Sequence, residues 1–156
     1  MTLNLDDFCR DVARALIILA AVFPRPRDLF VEDVYAAEDT DEFGLHSDRY
    51  LACFNALVWL REEGFIRYTD TLRNDAVEQA VLTGRCLSTL IFPRGLAGAS
   101  ASIAVDENTR LRELRAALQE GSSTALRLAV MAVVGEVVGR VPHPPAAGTS
   151  APEAVV

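Results

Sequence analysis

The sequence predicts a mainly α fold carrying a small β-wing, and three observations carry that prediction. Apolar residues recur at helical spacing over residues 5–23, 47–63, 83–92 and 109–140. Between two of these stretches, residues 65–83 set aromatic and β-branched runs on either side of a turn, the pattern of a two-stranded hairpin. Residues suited to helix ends bracket the periodic stretches: Ser47 before and Gly64 after one of them, and Pro24 and Pro93 behind two others.

Taken in order, Asn4 with Asp7 three residues on makes a capped start. Phe8, Val12, Leu16, Leu19 and Phe23 then form a stripe that Ile17, Ile18 and Val22 broaden, so this helix is expected to be buried on more than one side. Pro24 ends it. Asp28-Leu29-Phe30 reads as a short strand, and Val31 to Ala37 as a short helix with Val34 and Tyr35 inward. A polar turn over residues 38–46 leads to Ser47, an N-cap. The helix it opens sets Tyr50, Phe54, Leu57, Val58 and Leu60 on one broad apolar face and stops at Gly64. Phe65 to Thr69 is the outgoing strand, Leu72 to Asp75 the turn, and Ala76 to Thr83 the returning strand. Thr83 to Phe92 is helical again, with Leu87, Leu90 and Ile91 toward the core.

Residues 1–92 thus read as one domain, and residues 93–108, with Gly95, Gly98, Ser100 and Ser102, as a linker. Residues 109–141 form a C-terminal helical element that Gly121-Ser122-Ser123-Thr124 bends or interrupts. Its first half is amphipathic about Leu111, Leu114 and Leu118; its second, ALRLAVMAVVGEVVGRV, is apolar nearly all round and must be covered. The tail, residues 142–156, holds four of the seven prolines without periodicity and reads as disordered.

Composition narrows the function classes. The chain has 156 residues, is 51% hydrophobic and carries a formal charge of −7, so no global basic field attracts nucleic acid. All fifteen basic residues are arginine, which excludes a Schiff-base, phosphate-loop or general-base lysine. Eight acids and no arginine occupy residues 28–48, so the acidity is one local feature. Cys9, Cys53 and Cys86 lie within expected helices, with no CxxC spacing. They read as buried, reduced thiols of a cytoplasmic protein. The opening MTLNLDD puts acids where a signal peptide needs positive charge, and no apolar run reaches the ~18 residues of a membrane helix.

Two stretches, Trp59-Leu60-Arg61-Glu62-Glu63-Gly64-Phe65-Ile66 and Ala80-Val81-Leu82-Thr83-Gly84-Arg85-Cys86-Leu87, resemble the end of the third helix and the closing strand of the wing in winged-helix domains. The resemblance covers residues 5–92 and extends to small bacterial and phage proteins of unassigned role. It implies a third helix over residues 47–63 and a wing over 67–76. As a DNA reader the helix would offer Arg49, Asn55 and Arg61, with Ala56 and Glu62 also outward, and the wing Arg67, Arg73 and Asn74. Asp48, Glu62, Glu63 and the acidic segment 28–48 oppose phosphate contact, so protein binding in a regulatory or assembly role ranks ahead of a DNA-binding regulator.

No catalytic residue, metal site or cofactor is expected. Two histidines and three scattered cysteines fall short of a zinc site, and His46 and His143 read as capping or solvated. An EF-hand reading of Asp39 and Asp41 fails in register, because Tyr50 stands where a bidentate glutamate belongs. Leu126, Val130, Val133, Val134 and Val137 exceed what one core-facing stripe covers, so self-association as a homodimer through them is expected, with a second protein as a further partner.

Overall fold

The computed structural model describes residues 4–36, 42–92 and 109–139. The expected linker, the tail and the middle of the acidic segment lie outside the described residues. Among the described residues, six helices and four strands follow one another as α1 (Leu5–Val22), β1 (Arg27–Phe30), α2 (Val31–Val34), α3 (Asp48–Glu62), β2 (Ile66–Arg67), β3 (Asp70–Leu72), β4 (Ala76–Leu82), α4 (Gly84–Ile91), α5 (Arg110–Glu120) and α6 (Ser123–Gly139). The fold is mainly α with a small antiparallel sheet.

Helix α1 is the hub. It packs on α3, α5 and α6 and also touches β1, α2 and β4. The sequence permits this because Ala13 and Ala15 are small and fully buried, so neighbours approach on more than one side of the Val12, Leu16 and Leu19 stripe. Phe8 is half-buried and Phe23 37% exposed, so the fully buried stripe is shorter than its spacing suggests. Asn4 sits at the N-cap without a side-chain hydrogen bond, and the helix ends ahead of a cis Phe23–Pro24 bond.

Strand β4 is the centre of the sheet, with β1 on one edge and β2 and β3 on the other, all antiparallel. The outgoing leg is not the continuous strand expected over Phe65–Thr69. It pairs as Ile66↔Leu82 and Arg67↔Val81, lapses, and resumes as Asp70↔Glu78 to Leu72↔Ala76. The cause lies in β4, where Gln79 takes a left-handed φ of 54° and the β1 register shifts between Arg27 and Leu29. Asp28 Oδ1 accepts from both the Gln79 backbone N–H (2.9 Å) and its amide (3.1 Å), which fixes the bulge. Asp33 accepts from Phe30 N–H and pairs with Arg27. Part of the acidic segment therefore holds β1 in place.

Helix α3 begins and ends as its sequence dictates. Ser47 Oγ accepts from Tyr50 N–H at 3.1 Å. At the other end Gly64, at φ 79°, reverses the chain so that its N–H reaches Arg61 O (3.1 Å) and Phe65 N–H reaches Leu60 O (2.8 Å). Thr83 ties the base of the hairpin: its hydroxyl donates to Gly64 O at 2.7 Å and accepts from Cys86 N–H at 3.1 Å, opening α4. Leu90 is buried, whereas Ile91 points outward, contrary to expectation.

The C-terminal element is two helices, split where Gly121 takes φ 69° and Ser122 Oγ accepts from Ala125 N–H. Both join the core formed by the first 92 residues: α6 lies on α1 and α4, and α5 on α1 and α6. Ion pairs Arg127–Asp6 and Arg110–Glu136 clasp α6 to α1 and α5. This packing corrects the expected association surface. Leu126, Val130, Val133 and Val137 are buried within one chain, and Val134 is partly buried against the same core. Most of the apolar surface of α6 is spent on α1, α5 and α4, while Leu128, Met131 and Val138 stay exposed. No helix among the described residues is long and apolar enough to cross a membrane.

Candidate functional site

Between the first turns of α1 and the flank of α3 lies a cleft of about 380 Å³. Leu5, Phe8, Ala52 and Trp59 wall it, and Asn4, Asp7, Asp11 and Arg49 close one end. Phe8 and Trp59 meet edge to face, ring centres 5.1 Å apart, and Trp59 also packs against buried Phe65. The aromatic wall is thereby anchored to the core behind it.

The closed end is built on one ion pair. Arg49 donates to both oxygens of Asp11, at 2.7 and 2.8 Å, and its Nε lies 3.4 Å from Asp7. Tyr35 lies under the guanidinium at 4.3 Å. Asp11 is 1% exposed, and its hydrogen bonds raise the Arg49 pKa further. A bidentate, two-sided arrangement of this kind turns all three guanidinium nitrogens toward Asp11 and Asp7. Arg49 is thus not an outward contact for nucleic acid, which corrects the reading of it as one. Asp11 was legible only indirectly, as a carboxylate set in the apolar run from Cys9 to Phe23, where a buried charge demands a cation.

The other residues expected at a DNA interface do not converge. Asn55, Arg67, Arg73 and Asn74 are exposed, and Arg61 is exposed with its guanidinium 4.6 Å over the Tyr68 ring. Arg67 pairs with Val81 near one end of β4, while Arg73 and Asn74 form the turn beyond Ala76 at the other. Five residues of strand separate them, roughly 17 Å. Ala56, expected outward, is buried.

Beside the exposed Arg61, α3 presents outward Asp48, Leu51, Ala52, Asn55, Val58, Trp59 and Glu62, a strip at spacings of three and four. Asp48, Ala52, Asn55 and Glu62 are exposed, and the three larger apolar residues half-buried. The strip carries two acids, and the exposed cation of α3, Arg61, lies at its edge over the Tyr68 ring. Its middle is apolar and borders the cleft through Ala52 and Trp59.

A second cluster escaped the sequence. His46 Nε2 lies 2.6 Å from Asp75 Oδ1, its ring stacks on Tyr50 at 3.8 Å, and Tyr50 donates to the same carboxylate oxygen at 3.3 Å. Burial, then the charge of Asp75, pushes the Tyr50 hydroxyl up to about 12. These contacts tie the turn before α3 to the hairpin turn. Histidine spacing gave no hint of them, because the partners lie 29 and 4 residues away in different elements.

Among the described residues no group of three or more histidine, cysteine or carboxylate side chains is placed to hold a metal. No protein-family model, curated protein or solved structure matches the chain.

Proposed function

We propose that residues 5–92 are a winged-helix domain used to bind protein, a non-catalytic interaction module in a regulatory or assembly role. Support for the domain type is the order α1-β1-α2-α3 followed by a hairpin whose last strand lies between β1 and the outgoing leg. The observation that carries the mode of action is the outward strip of α3, with Asp48 and Glu62 on it and the helix's exposed cation, Arg61, at its edge over the Tyr68 ring. DNA binding draws most of its affinity from neutralised phosphates, and a docking helix with this face repels them. Three free thiols, all buried, suit a reducing compartment.

The second reading, a DNA-binding regulator, is favoured by exposed Arg67, Arg73 and Asn74 on the hairpin. A mobility-shift titration with duplex DNA at moderate salt separates the two. The expected result is retardation that competitor DNA abolishes. Tight, competitor-resistant retardation that weakens when Arg67 and Arg73 become alanine would establish the DNA reading.

Self-association is not required to cover Leu126, Val130, Val133 and Val137, which are buried inside the chain. Light scattering is expected to return the mass of one chain, 17.0 kDa. Twice that mass, reduced to one chain by Leu128→Glu, would place the contact on the outward residues of α6, Leu128, Met131 and Val138.

A further inference from the structure

We propose that the α1–α3 cleft and the strip beside it form the docking site, and that the occupant is a helical segment of another protein. This inference rests on the interaction-module reading. The segment would carry an apolar stripe with one large anchor side chain and an arginine or lysine toward each end.

Shape argues for a helix. The strip from Asp48 to Glu62 is one straight helix face, about 21 Å long at 1.5 Å per residue. A cleft runs beside it between two helices, and a helix laid in such a groove is a recurrent mode of peptide recognition. Leu51, Ala52 and Val58 offer an apolar surface, and the cleft walled by Phe8 and Trp59 takes the anchor. Asn55, exposed mid-strip, can both donate and accept, and so fixes the register of the incoming segment.

Charge decides the ends. Asp48 and Glu62 bracket the strip, neither forms an ion pair among the described residues, and Arg61 beside Glu62 is outnumbered by Glu62 and Glu63 and lies over the Tyr68 ring. The cation lining the cleft, Arg49, is held by Asp11 and Asp7, so an acidic group arriving there meets a guanidinium whose charge two carboxylates already balance. A basic flank on the partner answers Asp48 and Glu62 and speeds encounter with a chain of charge −7.

The test selects a displayed library of helix-forming peptides of about fifteen residues, randomised along one face, on the full chain. Enriched sequences are expected to combine a large apolar residue in the stripe with arginine or lysine near the ends. Synthesised, they should shift the fluorescence of Trp59, the chain's single tryptophan. Ala52→Trp, at an exposed helical position that tolerates bulk, should fill the cleft and weaken binding at least tenfold. The double variant Asp48→Arg, Glu62→Arg should turn the selection toward acidic ends, which a non-specific attraction to the whole chain would not do. Peptides that bind wild type and Ala52→Trp alike, leaving Trp59 unmoved, overturn the cleft while the interaction-module reading stands. No enrichment overturns the inference, and competitor-resistant binding of duplex DNA alongside it overturns the module reading as well. A mass of two chains that Ala52→Trp reduces to one gives the cleft to a second copy and overturns a foreign partner.

Discussion

Asp11 and Arg49 illustrate how one residue pair decides what a surface can do. Removing one partner strands the other's charge in a site where Asp11 is 1% exposed. Arg49→Ala is expected to cost about 3–5 kcal/mol in urea denaturation. Replacing both with leucine should recover most of that loss, since the pair's value lies largely in not leaving a lone charge. An Arg49→Ala chain with wild-type stability would mean that the arginine is free for other work. The thiols make a second prediction at this scale. Burial pushes Cys53 and Cys86 from an ordinary 9.0 up to about 12 and raises Cys9 as well. Tyr50 rises from 10.0 to about 12 for the same first cause. All these groups are held protonated by the fold, so the stability they contribute is complete below about pH 9. It is lost as the pH climbs toward 12. Alkaline titration of the far-ultraviolet circular dichroism should unfold the chain in that window, and native protein at pH 8 should show no thiol reactive toward a disulfide reagent.

Individual elements behave largely as local chemistry prescribes. The end of α3 rests on Gly64 at φ 79°, a backbone region that costs a residue with a Cβ about 1–2 kcal/mol. Gly64→Ala should cost about that much in chemical denaturation. The nearest atom to an added Cβ, on Arg85, is 3.8 Å away, so the loss would be backbone strain without a clash. An unchanged midpoint would show that the turn re-forms without a left-handed residue. The hairpin is where local reading was least complete. Alternation over Phe65–Thr69 suggested one unbroken strand, but pairing lapses where Gln79 bulges toward the Asp28 carboxylate. That carboxylate lies 51 residues upstream, beyond the reach of any windowed pattern.

For the whole molecule, the consequence of α1 being the hub is that the C-terminal helices belong to the same core as the first 92 residues. Val133, 1% exposed on α6, discriminates a core from a seam. Val133→Glu should unfold the chain, because a carboxylate there has no partner. At a subunit seam the same change would leave folded monomers. Sedimentation combined with circular dichroism reads both outcomes.

The sequence by itself determined the kinds of elements and their ends: the Ser47 cap, the Gly64 reversal, the Thr83 start and the break at Gly121 are local hydrogen-bond and φ requirements. It also determined that α1 and α6 each needed covering, because an apolar helix cannot face water on several sides. Only the tertiary structure decided that they cover each other, since periodicity counts apolar faces without saying which face meets which. Only it decided which charges are spent: Arg49 reads the same as Arg67 in sequence, yet one is locked to Asp11 across 38 residues and the other is exposed. The α1–α3 cleft was illegible for the same reason. Its walls come from residues some fifty positions apart, and a cavity is a property of how helices meet, not of either helix alone.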